Sequence, residues 1–286
     1  MANTTDGPNR DQATYWDEQA GPKWVAMQRD LDAQLEPFGL AVMDALGLAP
    51  GADVLDVGCG AGATSLALAG RVRPGRVLGV DLSTPLLGRA RERAAGIDNL
   101  RFERGDAQTF AFEPTSFDAV FSRFGVMFFA DPTAAFANLR GALKPGGRVG
   151  FVCWRAMRDN PSFVLPLEAA AKFLPELPPP PPPDAPGPFG FADEQRVRGV
   201  LEGAGFEDVV VAPRDADIVV AGQGDLESAV NLSLQIGPLG RALSELDDAT
   251  RASAREAVRE AFGRHLRPAG VTLPSATWIV TGRRAA

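Results

Sequence analysis

Apolar positions recur at helical spacing over residues 11–48, where Trp16, Trp24, Val25, Met27, Leu31, Leu35 and Leu40 stand among polar neighbours. The pattern predicts one or two helices, separated at Pro37, because an interior proline removes a ladder hydrogen bond. Pro50-Gly51 then marks a change of period. From there, short apolar runs at 52–57, 76–80, 100–104, 117–122 and 148–154 read as strands. Helical stretches at 63–71, 85–95 and 132–143 separate them, and Lys144-Pro145-Gly146-Gly147 forms a turn. Strands joined by helices imply crossovers and a parallel sheet, so the fold class is doubly wound α/β.

The later chain is less regular. Pro178–Pro183 is a run of six prolines, expected as a stiff extended spacer or as a docking segment for a proline-reading partner. A helix at 193–204 and a strand at 206–211 resume the α/β alternation, residues 225–268 read as helical, and 277–281 is a last strand. The expected division is a helical cap over 1–49, a ligand-binding α/β core over 50–155, and a remainder over 156–286. That remainder completes the sheet and carries the proline segment and a helical lid.

Composition narrows the function. The 286 residues are 45% hydrophobic and 23% charged, ordinary globular usage. The net charge is −7 and no basic stripe is visible, which argues against a nucleic-acid partner. No apolar run approaches the roughly 20 residues of a membrane span, and the polar residues 1–10 lack the apolar stretch of a secretory signal. Cys59 and Cys153 are far apart and His265 is the single histidine, so no metal centre is expected. A cytoplasmic location fits these features best.

The segment Val54-Leu55-Asp56-Val57-Gly58-Cys59-Gly60-Ala61-Gly62 carries most information. A buried strand ends in alternating glycines and enters a helix, the turn that lets backbone approach a ligand at the carboxyl edge of a parallel sheet. Gly58, Gly60 and Ala63 also satisfy the dinucleotide pattern G-x-G-x-x-A, so a nicotinamide oxidoreductase is the rival reading. Asp56 favours a ligand with an ammonium group over a pyrophosphate, which it would repel. Asp81, ending the second strand, suits ribose hydroxyls under either reading. Gly105-Asp106-Ala107 closes the third strand, where a carboxylate can take adenine amino hydrogens.

With Phe121-Ser122-Arg123-Phe124 after the fourth strand and Leu143–Gly147 before the fifth, these motifs resemble the class I S-adenosylmethionine-dependent methyltransferases. The likeness is to their small-molecule branch, which includes ubiquinone and menaquinone biosynthesis enzymes. It covers residues 50–155 strongly, and Tyr15-Trp16 with Trp24-Val25 is similar to amino-terminal helices of that branch. The resemblance implies a Rossmann-like sheet of seven strands, mostly parallel with the last antiparallel, under a helical cap. By the same likeness Asp56, Gly58, Gly60 and Gly62 face the methionine part, Asp81 and Leu82 hold the ribose, Asp106 and Ala107 hold the adenine, and Ser122 lies beside the sulfonium.

Tyr15 is a candidate partner for the cofactor carboxylate, and Trp16 and Trp24 either fill the core or wall the sulfonium. Arg123 either pairs with Asp106 or Asp131 or orients an anionic acceptor. Cys59 reads as a small filler of the loop, and His265 as a solvated or capping residue. With histidine nearly absent, a base would be a carboxylate or Tyr15. The phenylalanines of 121–129 suggest a partly apolar small-molecule acceptor, such as an aromatic or prenylated ring. A non-catalytic cofactor-binding or interaction protein is the other alternative, favoured by the proline run.

Overall fold

The computed structural model describes residues 7–176, 182–222, 224–244 and 246–286. Five parallel strands alternate with helices: β1 Val54–Val57, β2 Val77–Asp81, β3 Leu100–Arg104, β4 Phe117–Arg123 and β5 Leu143–Trp154. All four residues of β1 are buried, the mark of a strand covered on both faces. The ladder between β4 and β5 is regular from Arg148 onward. The flanking helices are α1 Arg10–Thr14, α2 Ala20–Ala26, α3 Gln28–Leu46, α4 Ala63–Val72, α5 Thr84–Arg93 and α6 Pro132–Ala142. A π-helical turn, Tyr15–Gln19, joins α1 to α2.

Further along the chain come α7 Pro161–Ala170, α8 Glu194–Gly203, β6 Glu207–Val219, α9 Leu226–Gln235, α10 Gly237–Ala242 and α11 Asp248–Gly263. The two-residue strand β7 Leu266–Arg267 and the long β8 Gly270–Arg283 end the order. The main sheet runs β3-β2-β1-β4-β5-β8-β6, and β8 is antiparallel to both of its neighbours. This is the seven-stranded, mostly parallel arrangement that the resemblance implies.

Three expectations are corrected. First, Pro37 does not divide the amino-terminal helices; it lies inside α3, and the break falls at Met27. The proline is exposed while Leu31, Leu35, Phe38, Val42 and Leu46 are buried. Packing that face outweighs a penalty of about 3 kcal/mol for an interior proline. Second, 225–268 is three helices, because Ile236 is extended and Pro238 starts a new first turn. Third, the strands expected at 206–211 and 277–281 are much longer. Asp215–Val219 pairs with Thr272–Ala276 beyond Trp154, where β5 ends. A two-stranded ribbon thus projects past the carboxyl rim of the sheet. Pro213 is tolerated because β6 is an edge strand, where a missing N–H can face away from the ladder.

Two hydrophobic cores result. One fills both faces of the sheet, with Phe38, Phe121, Phe136 and Phe151 wholly buried. The other joins α7, α9, α10 and α11 to the ribbon through Val220, Val271 and Leu273, and takes in Leu31 of α3. The proline run lies, except for Pro182 and Pro183, outside the described residues. Among the described residues no helix is long and apolar enough to cross a membrane.

Candidate active site

The turn after β1 abuts the turn after β4. Gly58 has φ +67°, and a Cβ there would stand 2.7 Å from the Cα of Gly125. Only glycine lets these two backbones meet. Gly60, at φ +52°, has nothing within 4 Å of where its Cβ would be, and it lines a cavity of about 260 Å³. Gly62 instead packs against Ala90 and Phe102 where α4 begins, and is not on the cavity wall.

Asp81 ends β2 with both oxygens engaged. Its Oδ2 accepts from the Gly60 amide and its Oδ1 from the Ser83 amide, each at 2.8 Å. Burial raises its pKa, opposed by these amide bonds. Asp81 and Leu82 both line the cavity, as do Asp106 and Ala107 after β3.

Asp106 has a partner the sequence reading missed. Buried Asn9 donates from Nδ2 to both Asp106 oxygens, at 2.9 and 3.0 Å, and its Oδ1 accepts from the Ala130 amide at 2.7 Å. The Gln108 amide also donates to Asp106 Oδ1, at 2.9 Å. Asn9 itself reaches the cavity, so it both aims the carboxylate and ties the amino-terminal segment to the rim. Replacing Asn9 by alanine strands these groups, at a cost of about 1 kcal/mol. The expected result is a roughly fivefold loss of nucleoside affinity in calorimetry; an unchanged affinity would show that Asp106 needs no such support.

Asp56 is completely buried in β1. Thr64 and Ser65 of α4 donate to its Oδ2 at 2.7 and 2.6 Å, whereas Oδ1 has no partner. Burial, the largest influence, lifts its pKa to about 6 against the two hydroxyl bonds and the Arg123 charge. The side chain lies behind the glycine turn rather than on the cavity wall. Ser122, too, is off the wall: its Oγ donates to the Val57 carbonyl at 2.7 Å and accepts from the Gly125 amide at 3.2 Å. It laces the two turns together.

Tyr15, Trp16 and Trp24 line the cavity from above the rim. Trp16 stands edge-on to Tyr15, Trp24 and Phe128, with ring centroids 5.5–5.6 Å apart. This cover is fastened to the start of α5 and to β3: Ser83 Oγ donates to the Trp16 carbonyl, while Asp17 accepts from the Thr84 amide and from Arg104.

Beyond the rim the cavity is mainly apolar, lined by Phe124, Trp154 and Phe163 and by Leu232, Ile236 and Leu239 of the later helices, with Ser162, Ser233 and Arg241 as polar members. Phe124 has φ +63°, an uncommon backbone for a bulky side chain and a sign of local constraint. Its ring stacks on Trp154 at 4.3 Å. Arg123 also reaches the wall. It pairs with neither Asp106, which Asn9 holds, nor Asp131, which caps α6 through the Ala134 amide; its nearest carboxylate is Asp32. Cys59 is on the wall, with burial holding its thiol protonated, and His265 is not among the lining residues.

An open-sided glycine, two rim carboxylates and a buried acid with a spare oxygen fit a nucleoside whose tail carries positive charge. The spare oxygen of Asp56 is the feature a plain βα turn leaves unexplained.

Comparison with known proteins bears on the same segment. Residues 54–147 match a family described as a methyltransferase domain. The demethylmenaquinone methyltransferase of Staphylococcus epidermidis is 29% identical over 182 residues, covering 59% of this chain and 74% of that protein. Among solved structures, the YcgJ protein of Bacillus subtilis is similar with a TM-score of 0.57 and 20% identity, over 87% of this chain and 98% of that one. A Haemonchus contortus phosphoethanolamine N-methyltransferase, solved with S-adenosyl-L-methionine, gives 0.55 at 20% identity, over 87% of this chain and about half, 52%, of that longer protein. The last two are likenesses of fold.

Proposed function

Because this chain is a class I S-adenosylmethionine-dependent methyltransferase of the small-molecule type, we propose that its acceptor is an apolar aromatic ring of the quinol or phenol kind, methylated in the chamber beneath the later helices. The observation that carries this reading is the continuity of one cavity from the Asp81–Asp106 rim to the Phe124–Trp154 stack. The Staphylococcus epidermidis relative is named for demethylmenaquinone, and an acceptor of that apolar character suits these walls.

The residue roles follow from position. Asp81, backed by Leu82, accepts the ribose hydroxyls, and Asp106 with Ala107 takes the adenine edge. Gly58 and Gly60 present bare backbone to the amino-acid tail, and the charge of Asp56 attracts its ammonium from behind the turn. Gly62 and Ser122 act one layer back, by fixing the helix and the neighbouring turn. Tyr15 and Trp24 close the site from above, where aromatic faces favour a cation.

When bound, S-adenosylmethionine supplies an electrophilic methyl on a positively charged sulfur with a good neutral leaving group. What remains for the protein is to hold the acceptor atom in line with that methyl and to keep water out. The aromatic stack and the helices α7, α9 and α10 do both. No histidine lines the cavity among the described residues; an acceptor ionised or activated by its own enol or phenol needs no base, and for any other the base is Tyr15 or a carboxylate of the wall. Labelled-methyl assays on a panel of quinols, phenols and amines test this directly. Incorporation into the phenolic or quinol compounds is expected; turnover confined to polar amines overturns the acceptor class.

A further inference from the structure

Arg123 ends β4 with a guanidinium that no part of the transfer step uses. Only 13% of its side-chain surface is exposed, and it lines the cavity. Asp32 Oδ1 stands 3.7 Å from its Nη2, too far for a hydrogen bond. Asp32 is already taken, by Arg93 at 2.9 Å and by Gln28. A guanidinium offers five donors, and among the described residues no hydrogen bond takes up those of Arg123, which reaches both the cavity and a second pocket between α3 and α4. Donors in that condition beside a cavity call for an oxyanion that arrives with the ligand.

The sheet order tells which oxyanion. Strands β3, β2, β1 and β4 are consecutive neighbours, about 4.8 Å apart. Asp106, Asp81, the Gly58–Gly60 turn and Arg123 therefore form one row along the rim. A nucleoside read by Asp106 and Asp81 extends its tail past β1 toward β4. Gly39 of α3 makes room there: Arg123 Cδ and Thr64 Cγ2 each lie 3.3 Å from where a Cβ would stand. The arginine stem thus runs beside the first turn of α4, whose Thr64 holds Asp56. A cation and an acid meet at this end of the row, the pair that a zwitterion requires.

We propose that Arg123 binds the carboxylate of the amino-acid tail of S-adenosylmethionine. This rests on the reading of the rim given above. Tyr15, the residue the sequence suggested for that carboxylate, belongs to the amino-terminal cover beside Trp16.

Calorimetry on the full chain decides the matter, using S-adenosylhomocysteine and 5′-methylthioadenosine, a nucleoside thioether without the amino-acid tail. Arg123→Gln should weaken S-adenosylhomocysteine by about tenfold and leave methylthioadenosine within about twofold. Arg123→Lys keeps the charge beside Asp32 but lacks the planar fork, and should fall between. Retained methylthioadenosine binding shows that each variant is folded. Unchanged S-adenosylhomocysteine affinity in both variants overturns the proposal, including the case where only the KM of an acidic acceptor rises. Equal losses for both ligands also overturn it, because they make the arginine structural. If the wild-type chain binds neither nucleoside, the rim assignment itself has failed.

Discussion

Asp81→Ala is expected to weaken S-adenosylhomocysteine binding by between tenfold and a few hundredfold. A ribose read by a carboxylate makes two hydrogen bonds to a charged acceptor; losing one at about 1.5 kcal/mol gives the lower limit, and losing both at that value, about 3 kcal/mol, gives the upper. Asp81 is also buried, with burial raising its pKa, so a ligand that donates to it relieves a carboxylate whose ionised form is otherwise penalised. The side chain has a second task, holding the Gly60 and Ser83 amides at 2.8 Å, and alanine removes both at once. Asp81→Asn separates them. Its carbonyl oxygen can still accept from one amide while its NH2 faces the other, so part of the bracing is kept while the charge is lost. If Asp81 reads the ribose, asparagine loses nearly as much affinity as alanine although its melting temperature falls less. If Asp81 only braces the turn, the affinities of asparagine and alanine follow their melting temperatures, and the ribose assignment is wrong.

The row of strand ends was legible in the sequence because each member sits at the end of a short apolar run, where local pattern alone fixes its place. Asp56, Gly58, Asp81 and Asp106 needed no knowledge of distant contacts. Asn9 left no such mark. Its partners lie 97 and 121 residues away, and one asparagine in a polar leading segment looks like any solvated residue. The same holds for the Asp32 that stands nearest Arg123. Here sequence suggested acids close in the chain, whereas the fold brings a helix from the amino-terminal cap against β4. Pro37 and the long ribbon of β6 and β8 failed for a related reason: burial of α3 and cross-strand pairing are tertiary effects that override local propensity. Ser122 shows what position alone leaves out. It occupies the expected strand end, yet its hydroxyl is spent on the Val57 carbonyl and the Gly125 amide.

Asp56→Asn is expected to flatten a pH dependence that the wild-type chain shows in both stability and binding. The folded carboxyl titrates at about 6, above the roughly 3.9 of an unfolded aspartate. Its protonated form therefore favours folding. That contribution is fully present below about pH 4 and is lost as the pH rises through 6, with a span of about 3 kcal/mol. Binding of a cation runs the other way, because only the ionised carboxylate attracts the sulfonium tail, so affinity in the wild type rises through the same window. In asparagine, Thr64 and Ser65 keep an acceptor, and the new amide stands where Oδ1 now has no partner. Urea unfolding at pH 4.5 and 7.5, with calorimetry of S-adenosylmethionine at both, measures the two slopes. Wild type should lose stability and gain affinity between these values relative to the variant. Parallel curves for the two proteins would mean that Asp56 is ionised throughout or never senses the ligand. Opposed slopes would identify a buried, half-satisfied acid that costs the fold stability and serves the bound cation.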